Sequence, residues 1–126
     1  MAVAAIVVRE GRVLALRRAA TKDAGPGLWE TISGRLELGE DPLDAVGREI
    51  SEESGLEVSI DPRPIVAYTA TRGPDPMVVI VYRADHVAGD VVRSDEHDAH
   101  AWLTPDELAD RSPLAKLVAA VRSSLS

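Results

Sequence analysis

The chain has 126 residues, with 21 acidic against 14 basic side chains for a net charge of −7, and no cysteine. That length suits one domain and leaves too little chain for a second, while 45% hydrophobic content excludes wholesale disorder. Without cysteine there is no disulfide framework, thiolate nucleophile or zinc–thiolate site. The acidic balance disfavours a nucleic-acid-binding surface, so any polyphosphate bound here needs a metal ion or a local arginine cluster. With no Phe, two Trp and two Tyr, the core must be built from Ala, Val, Leu and Ile.

Residues 2–8 are apolar but lack a basic flank and fall short of the roughly 20 apolar residues that span a bilayer. They read as a buried strand in a soluble, cytoplasmic protein. Residues 12–17 follow across Glu10-Gly11, which is a hairpin signal. Residues 21–28 (TKDAGPGL) read as an exposed loop, and residues 29–33 as a short strand entering a loop over 34–41. Asp41-Pro42 starts a helix, with Asp as N-cap and Pro at the first helical position. Leu43, Val46, Gly47 and Ile50 then recur at helical spacing and are expected to face the core, and Gly55 stands where a left-handed C-cap belongs.

Residues 57–60 and 65–71 are strand-like, separated by Asp61-Pro62-Arg63-Pro64, and residues 71–76 (TRGPDP) form a turn. Residues 77–82 are an uninterrupted apolar run, as in a strand buried on both faces. Residues 87–92 carry the turn Ala88-Gly89-Asp90, and residues 99–103 form a last short strand. Thr104-Pro105-Asp106-Glu107 is a capping box that opens a short helix. Ser112-Pro113 opens the final helix, whose stripe is Leu114, Leu117, Val118, Val121 and Leu125. With no internal repeat or linker, the expected fold is α/β, a mixed sheet covered by three helices.

The segment carrying chemistry runs from Gly34 through the first helix. With Glu49 at 0°, Glu53 falls at about 40° and Glu52 at about −60°, so three carboxylates share one arc beside the apolar one. A solvated face would mix signs at i, i+4, yet no lysine lies between Lys22 and Lys116. Arg48 can pair with Glu52, which leaves Glu49 and Glu53 as like charges without a local basic partner. Hard divalent cations relieve such repulsion, and Mg²⁺ takes carboxylates together with substrate phosphates.

Gly34-x5-Glu40-x7-Arg48-Glu49-Ile50-x-Glu52-Glu53-x-Gly55-Leu56 resembles the Nudix box of the Nudix hydrolase superfamily at every fixed position. The order of strands and helices also looks like the Nudix α/β/α sandwich, which implies one such domain over residues 1–126. The resemblance implies Mg²⁺- or Mn²⁺-dependent hydrolysis of a diphosphate bond in a nucleoside diphosphate linked to another moiety. In that chemistry, metal ions neutralise the polyphosphate and orient an attacking water. Glu49, Glu52 and Glu53 match the family's metal-binding glutamates, Arg48 the arginine that holds them, and Gly34 a backbone carbonyl that completes the metal site. Glu37 and Glu40 sit within reach in the loop. The general base is a box glutamate or Glu96, which resembles a later-loop position of the family; Glu96 is equally well placed to be a solvated loop acid.

Arg18, with Arg17 at a strand end, and Arg35, entering the box loop, are candidate phosphate contacts. Trp29 and Tyr68 are either packing residues or base-stacking ones. His97 and His100, at i, i+3 in a loop-to-strand segment, do not converge on one ion. Ile32-Ser33 replaces the Pro-Gly or Pro-Ala that many relatives place before the second glycine, which puts that loop's shape in question. A compact chain suits a nucleoside triphosphate or modified nucleotide as substrate. ADP-ribose or another nucleoside diphosphate derivative is the alternative, and a non-catalytic nucleotide sensor is a third reading, although sensors usually lose box glutamates. Capped RNA is disfavoured by the net charge, and the assembly is a monomer or homodimer.

Overall fold

The computed structural model describes residues 1–20, 27–72 and 75–125. The strands are β1 (Ala2–Arg9), β2 (Arg12–Arg18), β3 (Trp29–Glu30), β4 (Ile32–Arg35), β5 (Glu57–Ile60), β6 (Val66–Arg72), β7 (Asp75–Ala88) and β8 (His97–Leu103). The helices are α1 (Pro42–Ser54), α2 (Pro105–Arg111) and α3 (Ala115–Leu125). β1 is the hub of a mixed sheet. It runs parallel to β7 on one edge, while its other edge is shared by β4 over Ala2 to Ala5 and by β2 at Val8 and Arg9, both antiparallel.

Side-chain alternation along β1 divides the core between the sheet's two faces. Ala2, Ala4, Ile6 and Val8 join Val79, Val81, Leu108 and Val121 under α2 and α3. Val3, Ala5 and Val7 join Leu14, Ile32, Val46 and Ile50 under α1. This is the α/β/α sandwich that the element order implied. Among the described residues, no helix is long and apolar enough to cross a membrane.

Local signals are realised where they rest on turn and cap chemistry. Glu10 and Gly11 take φ of 52° and 74°, as the two central residues of a tight hairpin turn require. Gly55 closes α1 in the left-handed conformation at φ 67°. Thr104 and Glu107 form both halves of the capping box. Asp41 holds the N-cap position of α1, but its side chain makes no capping hydrogen bond.

Several expectations are corrected by tertiary pairing. The strand expected over 29–33 is two strands, because the chain leaves β2 after Glu30 and joins β1 at Ile32. The runs at 77–82 and 87–88 belong to one strand, β7, whose 14 residues pair with β1, β5 and β6. Val78 is not buried on both faces: it is 39% exposed, since α1 packs on β1 and β4 and does not cover that end of β7. Leu43, in the first turn of α1, is also 39% exposed, whereas Glu49 and Glu53 lie on that helix's buried side. Leu114 precedes α3 and stays partly exposed, so the stripe begins at Leu117. Strand β8 starts at His97 rather than at residue 99. The loop expected over 21–28 lies outside the described residues apart from its last two, and so do the two central residues of the turn at 71–76.

Candidate active site

Strand β4 and helix α1 build the site together. Gly34 lies directly beneath the Glu49 carboxylate, and a Cβ built on Gly34 would overlap it. Glycine is therefore required here by close approach, and the vacated space lets Glu49 sink to 8% exposure. One turn on, Glu53 is 2% exposed. Burial, together with a hydrogen bond and the charge of Glu49, pushes the Glu53 carboxyl far up, to about 10; Glu30 and Glu96 add to the effect. Buried beside a second carboxyl, Glu53 thus keeps its proton.

Arg48 ties these groups to the preceding loop. Its Nε and Nη2 donate to Glu40 at 2.8 and 3.0 Å, its Nη1 to Glu49 at 2.8 Å and to Glu52 at 3.2 Å, and its Nη2 also to the Arg35 carbonyl at 3.1 Å. Glu37 lies 3.6 Å from Nε. The expectation that Glu49 lacks a basic partner is thereby corrected: the guanidinium fork reaches its immediate neighbour as well as the loop. The Arg48 hydrogen bond, aided by the Glu37 backbone N–H, lowers the Glu40 carboxyl to about 2. The same network raises the Arg48 pKa above its ordinary value, with the Glu40 hydrogen bond the largest cause. Glu52 remains exposed, so the three-carboxylate arc splits into two buried acids and one at the surface.

These residues meet a cleft of about 610 Å³. Gly34, Arg35, Arg18, Glu49, Glu53 and Glu96 line it; Glu52 does not. Tyr68, Met77, Val79, Leu114 and Leu117 supply an apolar wall. Lys116 sits 5.8 Å over the Tyr68 ring and donates to the Thr69 carbonyl at 2.7 Å. Trp29 is corrected as a substrate-binding candidate: it does not line the cleft, and its ring faces the guanidinium groups of Arg111 at 5.1 Å and Arg17 at 6.0 Å. Arg17 is turned to Asp98, at 2.7 Å. Ile32 and Ser33 pair regularly with Ala5 and Ala4, so they continue a strand, and Ser33 lines the cleft.

Two residues of this constellation, Glu30 and His97, are not among the catalytic, substrate-binding or metal candidates of the sequence, where His97 is weighed only as half of a pair with His100. Glu30 lies in a strand of two residues, too short for periodicity, and bonds to Arg18 at 3.2 Å. His97 donates to Glu30 at 2.9 Å, with its other ring nitrogen 3.7 Å from Glu53. His100 is bonded to Arg93 at 2.6 Å.

Among the described residues, no three His, Asp or Glu side chains already form a metal cage, because Arg48 engages Glu49 and Glu52. The donor chemistry nevertheless fits a hard divalent cation: two adjoining buried carboxyls, a third acid one turn away, and a buried Glu53 Oε2 without a hydrogen-bond partner.

The family profile described as a NUDIX domain matches residues 1–122. A MutT-like protein of Streptomyces ambofaciens is 43% identical over 112 residues, covering 88% of this chain and 68% of that protein. CTP pyrophosphohydrolase of Escherichia coli strain K12 is 34% identical over 116 residues, covering 90% and 81%. The crystal structure of a MutT protein from Methanosarcina mazei Go1 matches with a TM-score of 0.86 at 24% identity, covering 98% of this chain and 91% of that one. With that family profile matching nearly the whole length and the complete box standing at residues 34–56, the chain belongs to the Nudix hydrolase family.

Proposed function

We propose that this Nudix hydrolase cleaves a diphosphate bond in a nucleoside triphosphate or modified nucleoside triphosphate, with Mg²⁺ or Mn²⁺ as cofactor. The observation that carries the reading is the buried Glu49–Glu53 pair at a cleft also lined by Arg18 and Arg35. A cleft of about 610 Å³ falls within the few-hundred to about 1,000 Å³ range usual for small ligands. Glu49, Glu52, Glu53 and the Gly34 carbonyl would hold the cation. When bound, it neutralises polyphosphate charge and polarises the scissile phosphorus–oxygen bond.

The chain's own groups do the rest. Arg18 and Arg35 bring positive charge to a protein of net charge −7, where polyphosphate would otherwise be repelled. Arg48 holds Glu49 and Glu52 in place. Glu96, exposed on the cleft lining, accepts the proton of the attacking water. The apolar wall with Tyr68 covers the base. The 34% identity to a CTP pyrophosphohydrolase over 90% of this chain supports a nucleoside triphosphate.

The test is hydrolysis of nucleoside triphosphates, ADP-ribose, dinucleoside polyphosphates and sugar nucleotides with Mg²⁺ and with Mn²⁺. Triphosphates turning over fastest is the expected result. Preference for ADP-ribose or a sugar nucleotide would reassign the substrate, and tight binding without turnover of any would make the domain a sensor. Solvent ¹⁸O should enter a phosphate product; label on a sugar carbon would reject attack at phosphorus.

A further inference from the structure

We propose that His97, braced by Glu30, is a positioning residue that fixes the Glu53 carboxyl group at the cleft. The His97 side chain is 1% exposed and that of Glu53 is 3% exposed. His97 Nε2–H donates to Glu30 Oε2 at 2.9 Å, and the same oxygen accepts from Arg18 Nη1 at 3.2 Å. With one ring nitrogen committed, the ring orientation is set, and Nδ1 is directed at Glu53 Oε1, 3.7 Å away. His97 Nδ1 and Glu53 Oε2 are both buried without hydrogen-bond partners. A buried nitrogen in that state is costly, and approach of the ring to Glu53 Oε1 from 3.7 Å to an ordinary hydrogen-bond distance of about 2.8 Å would give Nδ1 a partner.

Four elements converge to make this contact. β3 and β8 flank β2, which places Glu30 opposite Leu16 and His97 opposite Arg18, with a register shift between Arg17 and Arg18 that re-aims the β8 end. The result is a series of neighbours, Arg18, Glu30, His97 and Glu53, hydrogen-bonded as far as His97 and 3.7 Å apart at the last step. Glu53 also adjoins Glu49, which is itself pulled toward Arg48. A brace from the sheet side keeps it from following Glu49.

The consequence for turnover rests on the function proposed above, but the contact does not. His97→Gln retains a group for Glu30 and withdraws Nδ1. Glu30→Gln leaves His97 present but weakens its brace, and serves if the first variant folds poorly. His100→Gln is the control. In chelator, the ¹³C carboxyl resonance of Glu53 should move in both cleft-side variants while that of Glu52 stays. Mn²⁺ affinity by electron paramagnetic resonance and kcat for a nucleoside triphosphate should each fall on the order of 10- to 100-fold, with KM little changed. The control should match wild type. A folded His97→Gln protein with an unmoved Glu53 line and wild-type kcat overturns the proposal. A wild-type protein that neither binds Mn²⁺ nor turns over any nucleotide rejects the proposed function, and the Glu53 resonance still decides the contact.

Discussion

Glu53 faces opposite demands with and without a cation. Alone, it is buried beside Glu49 and keeps its proton; a divalent ion favours the carboxylate. Because its carboxyl is raised above the ordinary value of 4.5, its contribution to metal-free stability is fully present below that pH and is lost as pH rises toward its folded value. Glu53→Gln imitates the protonated acid and cannot titrate. In chelator, melting curves from about pH 5 to about pH 9 should show wild type losing stability relative to the variant. Activity of the variant should fall by orders of magnitude, since an amide is a poor Mg²⁺ ligand. A wild-type curve parallel to that of the variant would refute the raised Glu53 carboxyl. Gly34→Ala tests the partner acid. Its methyl group must displace the Glu49 carboxylate, so kcat should drop on the order of 10- to 100-fold while stability falls by only about 1 kcal/mol, the moving group being a side-chain end. Full activity in Gly34→Ala would show that Glu49 works from another position.

Helix α1 is useful because Arg48 fastens it to the loop between β4 and its own start. One guanidinium spans Glu40, Glu49, Glu52 and the Arg35 carbonyl; a lysine has the charge but not the fork. Arg48→Lys should therefore lower activity on the order of 10- to 100-fold, because the helix acids lose their support. The pairing also has an acid limb. Glu40 is held below its ordinary 4.5, at about 2, so its contribution is present above 4.5 and is lost as pH falls toward 2. Glu40→Gln should flatten that part of the stability curve. Equal acid sensitivity in the variant and wild type would exclude Glu40 as its source.

For the whole molecule, an acidic protein with an acidic cleft should depend on its cation for both activity and stability. Chelator should abolish turnover, and Mg²⁺ or Mn²⁺ should restore it. Cation at about one hundred times its Kd should stabilise the folded state by about 2.7 kcal/mol, read as a rise in melting temperature that Glu53→Gln largely loses. Turnover in chelator, or an equal rise in both proteins, would reject the metal site.

Wherever geometry is set by neighbours in the chain, residue order was enough. The hairpin at Glu10-Gly11, the left-handed Gly55 and the Thr104–Glu107 capping box need only adjacent backbone, and the fixed spacing from Gly34 to Leu56 carries its helix and its acids with it. The burial of β1 was likewise written in its apolar run, whereas the similar run at 77–82 did not foretell the exposure of Val78. What depended on strands from distant parts of the chain was not legible. Leu43 and Glu49 carry no mark of which one the sheet would cover, and the pairing of β4 with β1 covered Glu49. Trp29 could be read as packing or as base-stacking until the fold set Arg17 and Arg111 against its ring. Glu30 and His97 lie 67 residues apart, and only their common neighbour β2 brings them together. Long-range pairing selects which polar groups are buried against each other, and burial is what turns a glutamate of ordinary acidity into the protonated Glu53.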